Sequence, residues 1–189
     1  MTERPPRQGF RQRVFGAGKH TPSGHGRGRK VGPGDVLVAW LGAFVGIGLL
    51  AVLVTQFPDM KLLVIGSFGA TAVLLFASPR APFAQPRNLI GGHLISAVVG
   101  VACYRYLPEI LVLQEAAAVA TAIALMQMTR TIHPPGGATA LIAVIGGEPV
   151  HSLGWGYLMP VMMGAVILML VALLSNNLYR WGSYPERWD

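Results

Sequence analysis

The chain has 189 residues, of which 52% are apolar and only 12% are charged. A soluble domain of this size would carry roughly twice that charged fraction, so the composition excludes an ordinary soluble globular domain. A transmembrane helix needs about 20 apolar residues, which leaves room for five or six crossings and predicts no separate soluble domain. The net charge of +7 indicates contact with anionic lipid, or a role in setting topology, rather than binding of nucleic acid.

The chain begins with a basic tail. Residues 1–34 are rich in Arg, Gly and Pro and contain 8 of the 15 Lys and Arg residues. This composition is typical of disorder, and the segment lacks the apolar core of a secretory signal. Because it is Arg-rich and poor in acids, an organellar transit peptide stays open as an alternative. We expect a transmembrane domain over residues 35–178 and a short cytoplasmic tail over residues 179–189.

Six apolar segments follow the tail. Four of them are long enough to cross a membrane, namely residues 36–57, 89–106, 111–128 and 157–178. The second and fifth segments, residues 62–77 and 132–147, are short. A hydropathy scan is therefore expected to find four spans and to miss these two.

The charge pattern distinguishes six crossings from four. If all six segments cross and the N-terminus is cytoplasmic, thirteen Lys and Arg residues lie inside and only Lys61 and Arg105 lie outside. This arrangement satisfies the positive-inside rule, whereas two re-entrant segments would move Arg80, Arg87 and Arg130 outside. We therefore predict six crossings with both termini inside. The fifth segment would cross with residues 131–137 extended and a helix beginning at Ala138.

A short motif occurs twice. The sequence GATA at residues 69–72 recurs at residues 137–140, an offset of 68 residues. At this offset the first three segments align with the last three, which predicts two repeats over residues 35–107 and 108–178. Three crossings are an odd number, so the second repeat would be inverted relative to the first, as in many transporters. Ordinary packing of small residues between helices would explain the same identity and stays open.

An inverted repeat would bring two helix N-termini together near the middle of the membrane. Helix N-termini attract anions through their free N–H groups and the macrodipole, and Ser and Thr hydroxyls add donors. We therefore predict a binding site for a small anion. The candidate residues are Ser67, Gly69, Ala70, Thr71, His133, Gly136, Gly137, Ala138 and Thr139.

Three further residues are candidates for the pathway to this site, namely His93, Arg87 and Arg130. His93 is expected to face the interior, and His133 is either a capping residue or a donor or proton acceptor for the anion. The two arginines either mark topology or attract anions to the inner mouth. We expect carboxylates only at the ends of spans or in loops, which favours passive permeation or coupling through the histidines. These carboxylates are Asp35, Asp59, Glu109, Glu115 and Glu148.

The motif RTIHPPGGATA at residues 130–140 resembles the signature of the HPP family of membrane transporters. The stretches GSFGATA at 66–72, AQPRN at 84–88 and GGH at 91–93 resemble its other motifs. The resemblance covers about residues 33–178. It implies a multi-pass transporter with nitrite as the expected substrate, because plant and cyanobacterial members are associated with nitrite transport.

Two other function classes stay open. A membrane-embedded enzyme would need a convergent nucleophile, base or metal site, and the spans offer two isolated histidines and one cysteine. The second alternative is a structural or sensory subunit without transport. We expect no enzymatic activity, cofactor or metal. The expected partners are the anion and the bilayer, and association with further copies of the chain stays open. We expect the protein in a bacterial plasma membrane or, alternatively, in an organellar membrane.

Overall fold

The computed structural model describes residues 31–56, 66–179 and 184–188. The predictions for residues 1–30, and for the start of the second apolar segment at residues 62–65, lie outside the described residues. The chain divides into Met1–Val31 and a compact unit, Gly32–Asp189. The described part of that unit is helical and contains no strand.

The described residues form seven α-helices. A π-helical turn, Val73–Ala77, extends the second helix, and two 3₁₀-helices, Pro82–Ala84 and Gly154–Tyr157, precede the third and the last. The α-helices are α1 Pro33–Gln56, α2 Gly66–Ala72, α3 Pro86–Tyr106, α4 Leu111–Met128, α5 Pro134–Ile145, α6 Glu148–His151 and α7 Leu158–Tyr179.

Four helical segments among the described residues are long and apolar enough to cross a membrane. They are Pro33–Gln56, Pro86–Tyr106, Leu111–Met128 and Gly154–Tyr179. The apolar helices Gly66–Ala77 and Pro134–Ile145 are shorter. The expected result of a hydropathy scan is thus confirmed, and the chain is an all-helical, multi-pass membrane protein.

The helix of the fifth apolar segment begins earlier than the sequence predicted. It begins at Pro134 rather than Ala138, with His133 in an extended conformation before it. Proline is favoured at the first helical position because its φ angle is preset and its missing N–H has no helical partner there. The 12 residues of α5 span about 18 Å, and residues 131–133 add at most about 10 Å. The segment therefore approaches the width of a bilayer core, which is about 30 Å.

A sharp turn joins α4 to this segment. Arg130 adopts a left-handed conformation with φ of 57°. The Arg130 N–H donates to the Gln127 carbonyl at 3.2 Å, and the Thr131 N–H donates to the Met126 carbonyl at 2.9 Å. This pair of bonds defines a Schellman motif, which normally carries glycine at the left-handed position. The motif ends α4 and directs the chain back along α3.

Close contacts give the relative directions of the helices. An added Cβ at Gly92 would meet His133, and one at Gly100 would meet the Ala140 carbonyl, so α3 and α5 run parallel. Helix α4 runs antiparallel to α3, because Gln114 near its start donates to the Tyr104 carbonyl near the end of α3.

The remaining helices follow the same alternation. Phe68 packs on Gly164 and Asn176 Nδ2 donates to the Leu75 carbonyl, so α2 and its π-helical turn run parallel to α7. Helix α7 runs antiparallel to α3, because Gly154 lies beside Arg105. Helix α1 runs antiparallel to α7, with Gly42 next to Ser175 and Gly46 next to Leu168. Helices α1, α3 and α5 therefore point one way, and α2, α4 and α7 point the other.

The two short helices occupy equivalent positions in the sequence. Shifting Gly66–Ala77 by the 68-residue offset of the GATA motif gives the bounds of Pro134–Ile145. The same shift moves Pro86, the first residue of α3, to Gly154, the first residue of the last candidate span. Each aligned pair consists of helices that run in opposite directions.

Candidate functional site

Four polar side chains meet in the interior of the unit. Thr71 from α2, His93 from α3, His133 before α5 and Thr139 from α5 are all fully buried. Thr71 Oγ1 lies 2.9 Å from His93 Nε2 and 3.1 Å from His133 Nε2. His93 Nδ1 lies 2.9 Å from Thr139 Oγ1. We call these four residues the His–Thr cluster.

The backbone determines the direction of hydrogen bonding in the cluster. The Phe83 carbonyl lies 2.7 Å from His133 Nδ1, and a carbonyl only accepts, so His133 Nδ1 carries a hydrogen. Neutral His133 then accepts at Nε2 from the Thr71 hydroxyl, and Thr71 accepts from the Nε2–H of His93. His93 Nδ1 accepts from Thr139. All four bonds therefore donate in one direction, from Thr139 towards the Phe83 carbonyl.

The chain around residues 129–133 is held in place by the start of α3. Asn88 Nδ2 donates to the Ile132 carbonyl at 2.7 Å, and the Arg87 guanidinium donates to the Thr129 carbonyl at 3.1 Å. Both side chains belong to the AQPRN motif, and both bond to backbone carbonyls. This motif therefore positions the loop that carries His133.

Glycines allow this loop to approach α3 closely. A Cβ at Gly92 would lie 2.4 Å from His133 Cβ and 3.0 Å from the Thr131 carbonyl oxygen. A Cβ at Gly136 would lie 2.7 Å from Ser96 Oγ. The separations of 2.4 Å at Gly92 and 2.7 Å at Gly136 are shorter than real Cβ contacts, so these two positions require glycine in this arrangement.

Aromatic side chains close the cluster. Phe68 meets the His93 ring edge-on, with ring centroids 5.4 Å apart and an interplanar angle of 61°. The Tyr157 hydroxyl donates to the Thr139 carbonyl at 3.1 Å. The two imidazole centroids are 4.8 Å apart. The cluster is thus enclosed by α2, α3, α5 and the start of the last span.

One hydroxyl beside the cluster has no partner. Ser67 is fully buried, and its Oγ makes no hydrogen bond. Ser67 lies one helical turn before Thr71, so the two side chains share a face of α2. A buried hydroxyl without a partner is energetically costly, and it leaves a donor available at the N-terminal end of α2.

The structure brings together part of the predicted site. Thr71, Thr139 and the two histidines bond to one another, with Ser67 and Gly136 buried next to them. In contrast, Gly69, Ala70 and Ala138 lie on exposed sides of α2 and α5, and Gly137 is half-buried. No contact within 4 Å was found for a Cβ at Gly69 or Gly137. Arg87 and Arg130 are exposed at the helix ends and make no contact with the cluster.

One carboxylate lies deeper than predicted. Glu115 is half-buried and sits within α4, one turn after its start at Leu111, rather than at its end. No hydrogen bond or ion pair joins it to the His–Thr cluster among the described residues. Among all the residues that the structure describes, no group of three or more His, Cys, Asp or Glu side chains could hold a metal ion.

The C-terminal segment supports the cluster from one end. The buried Tyr184 hydroxyl donates to the Ala84 carbonyl at 2.9 Å. Gln85 Oε1 accepts from the Glu186 N–H at 2.9 Å and from the Arg187 N–H at 3.3 Å. Burial also raises the pKa of the Tyr184 phenol. These bonds fix the loop whose Phe83 carbonyl orients His133.

Sequence patterns did not indicate several of these supporting groups. The Phe83 carbonyl, Tyr157 and Tyr184 act through bonds across 50, 18 and 100 residues of chain. No spacing rule links such distant partners. Gln85 and Asn88 lie in the AQPRN motif, so the sequence could have indicated them as candidates. Their hydrogen-bond partners could not be predicted from it.

The family model described as "HPP, transmembrane region" matches residues 29–185 of the chain. The chain belongs to the HPP transmembrane family. Two proteins of Dictyostelium discoideum, described only as transmembrane proteins, are 45% and 42% identical over 154 and 155 residues. Each alignment covers 79% of this chain and 54% or 50% of the relative, so the chain spans about half the length of these curated relatives. No solved structure matches it significantly.

Proposed function

We propose that this HPP family chain transports a small inorganic anion across a membrane, at a site beside the His–Thr cluster. The observation that carries the proposal is the pair Thr71 and Thr139, which bring both short helices to a single imidazole, that of His93. Ser67 adds a buried donor without a partner at the N-terminal end of α2. Nitrite is the expected substrate because of the family resemblance.

We further propose six crossings arranged as two inverted repeats. The support is the coincidence of Gly66–Ala77 with Pro134–Ile145 at the 68-residue offset, together with the opposite directions of the paired helices. Packing follows the same relationship: Phe68 contacts Gly164, and Gly136 contacts Ser96. The offset relates these contacts to each other, and each joins a short helix to the third helix of the other repeat.

Backbone donors at the short helices would contribute to anion binding. The first N–H groups of a helix lack helical partners and carry roughly half a positive charge in total. Gly66, Ser67 and Phe68 supply them for α2. In α5, Pro134 and Pro135 have no N–H, and Gly136 bonds to the His133 carbonyl, so Gly137 is the first candidate donor. Glycine at these positions lets a ligand approach the backbone.

One specific observation favours a structural role instead. All four side chains of the His–Thr cluster already bond to one another or to backbone, as they would in a fixed link between helices. In a fixed link of this kind, the anion could bind only to the donors beside the cluster, namely Ser67 and the first N–H groups of the short helices, unless one of these bonds breaks. A membrane subunit without transport is therefore the second candidate.

A bacterial plasma membrane stays a prediction, because the two curated relatives are from a eukaryote.

Flux measurements in liposomes separate the two candidates. The purified full chain is reconstituted, and uptake of nitrite is followed against empty liposomes and against liposomes with the Ser67→Ala variant. Transport predicts saturable uptake by the wild type and a reduced rate for Ser67→Ala. Uptake equal to that of empty liposomes would refute transport of nitrite. Uptake of formate or chloride in parallel would define the range of anions.

A further inference from the structure

We propose that the His–Thr cluster binds one proton together with the anion and passes it between His93 and His133 through the Thr71 hydroxyl. The inference rests on the proposed transport function and adds the coupling ion to it. Its basis is the position of one hydroxyl between the Nε2 atoms of two buried imidazoles, at 2.9 and 3.1 Å.

A buried anion needs a positive counter-charge. Moving an ion out of water is costly unless it is paired, and two helix ends supply only partial charges. Among the described residues, no Lys or Arg side chain contacts the cluster, since Arg87 bonds to the Thr129 carbonyl and Arg130 is exposed. An imidazolium is therefore the one full positive charge that the described surroundings of the site can provide.

The cluster can accept an extra proton on His93 without losing a hydrogen bond. The proton binds Nδ1, and the new N–H donates to Thr139 Oγ1. The Thr139 hydroxyl then turns to the Pro135 carbonyl, which already lies 3.3 Å from it. The other three bonds keep their direction, so every donor still has an acceptor.

The proton can equally reside on His133. The Nε2–H of His93 transfers its proton to Thr71 Oγ1, while the original Thr71 hydroxyl proton moves to His133 Nε2. One N–H and one O–H bond break, and one of each forms, so the charge moves from one ring to the other. Thr71 afterwards donates to His93 Nε2 and accepts from His133. The Phe83 carbonyl keeps its donor, the Nδ1–H of His133, throughout.

No carboxylate among the described neighbours of the two rings competes with the imidazoles for this proton. Helix α2 contributes Phe68 and Thr71, α5 contributes Pro135 and Thr139, and the start of the last span contributes Tyr157. The titratable groups of the site are thus the two imidazoles and the Tyr157 phenol. No described carboxylate bonds to any member of the cluster, so the anion itself is the partner for the charge.

Linked binding makes a quantitative prediction. If one proton binds with each anion, the affinity for nitrite rises by about tenfold for each unit by which the pH falls, over the range where the free cluster is neutral. Binding is measured on the purified full chain by titration calorimetry from about pH 8 to about pH 6. Uptake into liposomes is measured at the same time with and without an inward proton gradient, with an internal pH dye.

Variants test the relay itself. Thr71→Val removes the hydroxyl that joins the two rings, so it should abolish the gradient-driven uptake. The affinity should keep its pH dependence, because His93 Nδ1 still accepts the proton next to Thr139. Thr71→Ser should retain both properties. Thr121→Val, at an exposed position of α4, is the matched control and should behave as the wild type.

The outcomes separate the two proposals. Nitrite uptake by the wild type that needs no proton, with pH-independent affinity, would overturn the relay and leave transport intact. Absence of any nitrite uptake or binding would refute transport and the relay together. If Thr71→Val does not fold, a pH-independent affinity of the wild type, or loss of gradient-driven uptake in Thr71→Ser, which keeps the hydroxyl, would still overturn the proposal.

Discussion

Thr71 and Thr139 are separated by 68 residues, yet their hydroxyls bond to opposite nitrogens of the His93 imidazole, each at 2.9 Å. Each threonine follows a Gly-Ala pair on one of the two short helices. The two copies of the GATA motif thus contact the same side chain, that of His93. This contact joins α2 to α5 through His93 of α3.

Thr139→Val is expected to weaken nitrite binding. The substitution keeps the shape of the side chain but removes the hydroxyl that satisfies His93 Nδ1. The loss should be about 0.5–1.5 kcal/mol, or roughly two- to tenfold in affinity. Calorimetry on the purified protein measures it, with Thr121→Val as the control. Wild-type affinity in a folded Thr139→Val protein would show that the anion does not depend on this hydroxyl.

Gly92→Ala is expected to disrupt the loop that carries His133. The added methyl would lie 2.4 Å from His133 Cβ and 3.0 Å from the Thr131 carbonyl oxygen, so the loop or α3 must shift. Overpacking of this kind costs about 1–3 kcal/mol. Thermal unfolding in detergent and nitrite flux both report on it.

Gly48→Ala on α1 provides the comparison, because nothing lies within 4 Å of the added Cβ. It should stabilise the helix by about 0.5–1 kcal/mol. Equal effects of the two substitutions would contradict the close packing of α3 on the His133 loop.

Tyr184→Phe is expected to loosen the C-terminal segment and to change the response to alkali. Because burial raises the pKa of the phenol, the folded protein retains the proton when the unfolded chain releases it. This contribution to stability is complete below the unfolded pKa of about 10 and is lost as the pH rises further. The variant should lose about 0.5–1.5 kcal/mol from the missing bond to Ala84.

Chemical denaturation of both proteins at several pH values provides the measurement. Above about pH 10, the stability of the wild type should fall more steeply than that of Tyr184→Phe. Tyr157 is present in both proteins, so it cancels in the comparison. Parallel pH curves would show that Tyr184 is not buried in the folded protein.

Labelling of an introduced cysteine tests the six-crossing topology. Ser152 is exposed between α6 and the last span, and six crossings from a cytoplasmic N-terminus place it outside. Ser152→Cys in a Cys103→Ala background should react with a membrane-impermeant maleimide from the outer face. Arg130→Cys should react only after the membrane is opened. The reverse pattern would exclude a topology with both termini in the cytoplasm. It would also show that the distribution of Lys and Arg does not follow the positive-inside rule in this protein.

Local patterns were sufficient for much of the helical architecture. Long apolar stretches predict α1, α3, α4 and the last span, because hydrocarbon forces a chain to satisfy its backbone bonds within each helix. Fine boundaries were less accurate. The sequence predicts that α5 begins at Ala138, after an extended stretch over residues 131–137, whereas it begins at Pro134, because proline is favoured at the first position of a helix.

Composition and periodicity by themselves determined that this is a multi-pass helical membrane protein with two short helices, and the motif around His133 determined its family. The repeated GATA motif and the polar residues near it also supplied both histidines and both threonines as candidates. Only the tertiary structure decided that Thr71 bridges His93 and His133 and that the Phe83 carbonyl orients the whole set. The physical reason is that hydropathy and helix propensity act over a few neighbouring residues, whereas these bonds join atoms 22 to 62 residues apart.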